Sequence, residues 1–441
     1  MSTNIQKNQI TEGIIWRQLL LFFFPILLGT FFQQLYNTID SVIVGQFVGK
    51  EALAAVGGSS AQIVAFVVGF FTGLSSGASV TIAQFFGAKD SRSANKGLHT
   101  AYAIAAFGGL ILTVSGIILT PFLLEMMNTP ADIVADSAVY LRIYFAGIIF
   151  VLIYNMGSAI LRATGDSKRP LYYLIVCCII NIVLDVLFVI VFHMGVMGVA
   201  VATLIAQAVS AVLVTLKLMR SEGILKLSVK QIRFHGSILK MQLKLGLPTG
   251  FEAILFSITN IAIQSAVNTF GTDTTAAWSA YGKLDAIFWM VSTAFGIAIT
   301  TFVGQNYGAG KMDRVRKSTR VCLLMDFIVS AVLVVFLIAA RFLLFRLFTN
   351  DSHVIEIGCD MLVLITPWYI VYVFIEVIAG ALRGVGNVVV PVAITLLGVC
   401  VLRIAWLAAM LKISPTISAI ILSYPVTWVI TALAFIIYYI Y

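Results

Sequence analysis

Twelve runs of roughly twenty or more apolar residues leave this chain little choice of fold. A backbone inside hydrocarbon must satisfy its own hydrogen bonds, and single runs of this length do so as helices. The runs fall at 16–44, 52–80, 96–122, 137–160, 168–191, 195–219, 238–268, 276–303, 316–344, 357–382, 388–410 and 415–441. Composition agrees: the chain is 60% hydrophobic and 11% charged, with a mean hydropathy of +1.03. Soluble domains carry about 25% charged residues. We therefore expect an all-α polytopic membrane protein with twelve transmembrane helices. No cleavable leader is expected, because Met1 to Thr11 is polar and the run from Leu19 is too long for a signal core.

The net charge of +9 could point to nucleic acid, but its placement points to topology. With the N-terminus inside, 21 of the 28 Lys and Arg residues fall in every second loop, including Lys7, Lys89, Arg162, Lys226, Lys311 and Arg383. Only Lys50, Arg341, Arg346 and Lys412 fall on the outer side. Cytoplasmic loops collect such charge. Both termini are thus expected in the cytoplasm of a cell bearing the protein in its plasma or inner membrane, with lipid rather than nucleic acid around it. Five cysteines without a CxxC and four scattered histidines indicate neither a disulfide framework nor a zinc site.

The chain repeats itself. Gln84, Phe86, Gly87 and Ala88 match Gln305, Tyr307, Gly308 and Ala309, while Leu161, Arg162, Gly165 and Pro170 match Leu382, Arg383, Gly386 and Pro391. Each pair is 221 positions apart (305 against 84, 383 against 162). We expect an N-lobe over 1–220, a cytoplasmic linker over 221–237 and a C-lobe over 238–441. Six spans per half give both halves the same orientation, related by a pseudo-two-fold axis along the membrane normal. The acids do not repeat: position 261, which answers to Asp40, is Ile261, and position 406, which answers to Asp185, is Trp406.

Those acids are the chemical signal. A charge at bilayer depth costs a few kcal/mol even on lenient scales, so intramembrane acids mark function by default. Gln33, Asn37 and Asp40 share one face of the first helix, which also holds Pro25. Asn181 and Asp185 share a face of the fifth, and Thr203 lies in the sixth. Two carboxylates, an amide oxygen and a hydroxyl make a hard-oxygen set suited to Na⁺ or H⁺. If the carboxylates converge, burial and repulsion favour holding a proton there. The alternative is that these groups hydrogen-bond neighbouring helices. In the second half Glu252, Asn260, Lys283, Asp285 and Glu376 are candidates for an organic-cation or second coupling site, with Lys283 or Arg403 as possible structural counter-ions.

Two motifs are set aside. Gly73-Leu74-Ser75-Ser76-Gly77 spells a nucleophile elbow, but it lies in a helix, where Gly69, Gly73 and Gly77 form a small-residue packing seam. Gly310-Lys311 lacks the Ser or Thr of a P-loop, since Met312 follows. An ion gradient, not a bound cofactor, is the expected energy source, and no enzyme constellation survives.

Leu35-Tyr36-Asn37-Thr38-Ile39-Asp40 with Val44-Gly45, the paired Gln…Gly-Ala loops and the paired Leu-Arg…Gly…Pro loops resemble the multidrug and toxic compound extrusion (MATE) family over essentially the whole chain. The resemblance implies two six-helix lobes with a central cleft and H⁺- or Na⁺-coupled export of organic cations and other drugs by alternating access. It implies that Asp40, Asn181, Asp185 and Thr203 form the N-lobe cation site of the DinF-like branch, with Pro25 as the pivot of a bend. Glu252 resembles the C-lobe site residue of the NorM-type branch, for which Glu376 is a substitute partner. A lipid-linked precursor flippase of the same superfamily is the rival reading, and a functional monomer fits two tightly related lobes.

Overall fold

The computed structural model describes residues 9–441, so Lys7 lies outside the described residues. Among the described residues, twelve helices are long and apolar enough to cross a membrane. They are α1 (Ile15–Phe47), α2 (Lys50–Gly87), α3 (Ser91–Met126), α4 (Val134–Ala163), α5 (Lys168–Val191), α6 (Gly195–Met219), α7 (Gly236–Asn268), α8 (Thr272–Gly308), α9 (Met312–Arg346), α10 (Ser352–Gly384), α11 (Val389–Ile413) and α12 (Ile417–Ile440). No strand occurs among the described residues. Several helices outrun the expected apolar cores because their ends are capped by polar side chains. Asp90 accepts the Ser93 amide ahead of α3, and Asp351 accepts the amides of His353 and Val354 ahead of α10. The Ser93 hydroxyl and amide hold the Asp90 carboxyl below its usual range.

The repeat is visible in backbone detail. Gly165 and Gly386 both take left-handed φ, 95° and 91°. The following amides reach back alike, Asp166 to the Leu161 carbonyl at 2.9 Å and Asn387 to the Leu382 carbonyl at 3.0 Å. This is a left-handed helix cap, which glycine enters without steric penalty. The other repeated loop closes the same way. There Lys89 (φ 58°) and Gly310 (φ 71°) are again 221 positions apart.

The chain forms two compact units, Phe24–Gly250 and the segment ending at Phe23 with Phe251–Tyr441. Their bounds fall inside α1 and α7 rather than in the connection at 221–237.

In the unit Phe24–Gly250 the core gathers Leu98, Tyr102, Ile148, Leu152, Ile160 and Val214. The small-residue seam of α2 packs against a second one on α7. A Cβ at Gly73 would meet Gly250 Cα at 2.6 Å, and one at Gly77 would meet Gly246 Cα at 2.7 Å. Backbone therefore lies on backbone along this crossing, the approach that small residues permit in membranes. The connection at 221–237 is sewn onto α3. Asn95 Nδ2 donates to the carbonyls of Ile224 and Lys226, the Ser228 amide donates to His99 Nε2 at 3.0 Å, and Leu227 is buried. His99 Nδ1 faces the Asn95 carbonyl at 2.8 Å, so each ring nitrogen has a backbone partner. We expect His99→Ala to free this connection, which limited trypsin digestion reads as faster cleavage at Lys226 and Lys230. An unchanged digestion rate would show that the sewing is immaterial.

In the other unit, Tyr369, Phe288, Phe345, Trp428 and Phe435 are fully buried. The start of the chain docks here. Arg314 donates to the carbonyls of Ile10 and Gly13 and Lys311 to that of Thr11, capping the carbonyl end of the one-turn helix Gln9–Glu12. Phe22 and Phe23 pack on Phe302 and Phe295, the second pair stacked at 4.1 Å.

Candidate functional site

Asp40 on α1, Asn181 and Asp185 on α5 and Thr203 on α6 come together inside the unit Phe24–Gly250. Asp185, Asn181 and Thr203 are among the side chains that face Asp40. All four are buried; Asp185 is wholly so. The i, i+4 spacing on α5 puts Asn181 and Asp185 on one face. Immediately after Asp185 the helix widens into a π segment, Val186–Val191. Such bulges cluster at functional sites.

What marks the cluster is its unmet bonding. Asp40 Oδ1, both Asp185 oxygens, both Asn181 amide atoms and Thr203 Oγ1 are buried without a hydrogen-bond partner of good geometry. Buried polar groups are nearly always paired. A concentration of oxygen acceptors around two carboxylates is an arrangement that a small cation, or a proton on one acid, would complete.

Of the stripe read on α1, only Asp40 is buried in this cluster; Gln33 and Asn37 are exposed. The polar neighbours that sequence reasoning passed over are aromatic. Tyr36 lies one turn before Asp40 and accepts from Gln207 Nε2 at 3.3 Å, and Tyr140 of α4 faces both acids. The i−4 position of Tyr36 was the available signal; nothing flagged Tyr140.

The second-half candidates separate into two groups. Glu252 of α7 lies beside Thr395, Arg383 and Glu376. Arg383 Nη2 pairs with Glu376 Oε1 at 3.2 Å. Gly296 of α8 leaves the space that the Glu376 carboxylate fills. The counter-ion for these acids is thus Arg383, while Arg403 faces the other buried acid, Asp285. Lys283 is exposed. Asp326 of α9, unassigned from sequence, is fully buried with Oδ2 unpartnered and faces Glu376. Removing one partner of a largely buried ion pair leaves an uncompensated charge. Arg383→Gln should therefore destabilise by about 3 kcal/mol, and adding Glu376→Gln should restore much of it. Thermal unfolding in detergent checks this. A single variant as stable as the parent would show that Arg383 does not hold these acids.

The other group centres on Asp285, whose carboxylate accepts three hydrogen bonds. Tyr281 and Tyr369 hydroxyls donate to Oδ1, and Trp289 Nε1 donates to Oδ2 at 2.7 Å. Tyr281 and Trp289 flank Asp285 at i−4 and i+4, a spacing legible in the sequence. Asn260 and Asp285 both line a cavity of about 360 Å³ within this unit.

Twelve membrane-length helices with paired acids buried among them define a polytopic membrane protein whose acids mark its functional site, and its family match makes it a transporter rather than an enzyme. The chain belongs to the MatE family, whose model matches residues 25–187 and again 248–408. The double match confirms the internal repeat, the two ends again lying 221 positions apart (408 against 187). It is 30% identical over 393 residues to a probable multidrug resistance protein, YoeA, of Bacillus subtilis, covering 87% of this chain and 84% of that one. It is 27% identical over 420 residues to a probable multidrug resistance protein, NorM, of Thermotoga maritima, covering 92% and 88%. Among solved structures, an outward-facing multidrug resistance MATE family transporter superposes with a TM-score of 0.92 at 20% identity, covering 99% of this chain and 98% of that one.

Proposed function

We propose that this chain is a secondary active exporter that moves organic cations and related drugs out of the cell in exchange for H⁺ or Na⁺. The observation that carries the reading is the cluster of Asp40, Asn181, Asp185 and Thr203, four buried side chains with unmet bonding capacity inside the membrane. Two facing carboxylates repel unless a proton or cation stands between them. A cycle that alternates between an occupied and an empty pair is the elementary step of ion-coupled exchange. The names of the relatives, multidrug resistance proteins, support drug-like substrates. In this reading both termini face the cytoplasm, one chain is a complete transporter, and no bound cofactor takes part.

The test is efflux of a fluorescent cationic dye from proteoliposomes, with a pH gradient and a Na⁺ gradient imposed separately. One of the two gradients should drive dye movement. If neither moves dye in vesicles that hold folded protein, the export reading fails and lipid-linked substrates become the class to examine.

A further inference from the structure

Where α9 turns into α10 the chain encloses a second cavity, of about 800 Å³. A helix rises 1.5 Å per residue, so the 35 residues of α9 and the 33 of α10 each span about 50 Å, against a hydrocarbon core of about 30 Å. Their joined ends therefore reach out of the core into the headgroup layer. The cavity there has both signs of charge in its wall: Arg341 and Arg346 from the end of α9, Glu356 and Asp360 from the start of α10. Arg346, Glu356 and Asp360 are exposed and Arg341 is half-buried. Arg341 donates one amino group to the Ile338 carbonyl at 2.7 Å, which leaves its other donors available. None of the four is joined in an ion pair; among the described residues those are Arg169 with Asp166 and Arg383 with Glu376. Yet Arg341 and Asp360 both face Cys359, so opposite charges flank one wall. Beside them the lining is apolar and open, with Phe342 52% and Val363 42% exposed. The other half of the chain lacks this set. There, 221 positions earlier, Thr120 and Glu125 answer to the arginines, and Ala135 and Val139 to the acids. The repeated fold does not need these charges.

We propose that this cavity holds the headgroup of a zwitterionic phospholipid that carries a primary ammonium, of the phosphatidylethanolamine type. The phosphate accepts from Arg341 and Arg346, the ammonium donates to Glu356 and Asp360, and an acyl chain runs along Phe342 and Val363. Guanidinium forks match phosphate oxygens, and both contacts are of the charge-assisted kind. Each charge that stands apart in the wall gains a partner of opposite sign. An anionic headgroup would meet two carboxylates, and a choline headgroup has no N–H to give them. The site is separate from the Asp40 cluster and does not depend on which ion drives transport.

Purified protein in detergent is doped in turn with dioleoyl phosphatidylethanolamine, phosphatidylcholine and phosphatidylglycerol, and the lipid-bound fraction is read by native mass spectrometry. We expect the ethanolamine lipid to be held about fivefold more tightly than either companion, the scale of an exposed ion pair. Glu356→Gln combined with Asp360→Asn should erase that preference and bring the glycerol lipid level with it or above. Arg346→Gln should weaken binding of the ethanolamine lipid severalfold. These side chains are exposed, so the variants should melt with the parent. Lys412→Gln removes an exposed cation outside the cavity and should change nothing. Free glycerophosphoethanolamine at equal concentration should not displace the lipid, because it lacks the chains. Equal binding of the three lipids, a preference that survives loss of both acids, an equal loss in Lys412→Gln, or displacement by the free headgroup would each overturn the proposal. These readings need no gradient, so they stand or fall apart from the efflux experiment.

Discussion

Asp40→Asn should reduce gradient-driven dye efflux at least about tenfold, because it removes a charge whose charge-assisted contacts are worth a few kcal/mol in such a site. Asn is nearly isosteric with Asp, so the helix packing around position 40 is retained. Only the ability to bind a cation or carry a proton is lost. Asp185→Asn should do the same, since the two acids act as one site and neither has another buried partner of good geometry. Thr203→Val removes a neutral ligand and should cost only a few-fold in rate, on the scale of one net hydrogen bond. Initial rates in proteoliposomes, at matched protein density and with unchanged size-exclusion profiles, make the comparison. Full activity in Asp40→Asn would sink the coupling role of this cluster, whatever the substrate proves to be.

The second large effect concerns folding. Gly77→Val is expected to lower the melting temperature by about 10 °C or to prevent accumulation of folded protein, through overpacking of about 3 kcal/mol or more. A side chain at position 77 meets the backbone of α7 at Gly246, and backbone cannot rotate away as a flexible side chain can. The same holds at position 73 against Gly250. A substitution at Gly57, where an added Cβ meets open space, serves as the control and should leave the melting temperature within about 1 °C, as surface changes usually do. Thermal unfolding by fluorescence in one detergent decides it. Tolerance of valine at position 77 would mean that α2 and α7 are not held by close backbone approach.

The helices were almost fully legible, for a physical reason. Hydrocarbon enforces long apolar runs, and α5 and α6 occupy the spans 168–191 and 195–219 read from the sequence. The ends of other helices were less legible, since an apolar run stops at the edge of the bilayer while hydrogen bonding continues into water. Hence α2 runs to Gly87 and α8 to Gly308, beyond the runs ending at 80 and 303. The N-lobe cluster was legible because a carboxylate in a membrane helix is rare enough to stand out alone. The aromatic cavity was not. Its residues come from α7, α8, α11 and α12, and each by itself is an ordinary tryptophan, tyrosine or arginine in a chain rich in aromatics. Only the folded chain shows Asp285 held by Tyr281, Tyr369 and Trp289 with Arg403 facing it, and those are three-dimensional facts. The exposed Lys283, two residues from Asp285, illustrates the same limit: nearness in sequence on a helix is not a shared face.

The placement of the chain's crossings has a consequence for how such a protein arose and how it can be taken apart. The first six spans lack the stretch of α7 on which Gly73 and Gly77 pack, and the last six lack the segment from Ile10 to Phe23 that Phe295, Phe302 and Arg314 hold. Each covalent half is therefore missing an arm supplied by the other. A chain severed between them at the linker remains a mutually completing pair, and a six-span ancestor that duplicated into this form would have reached it as two copies trading the leading ends of their first helices.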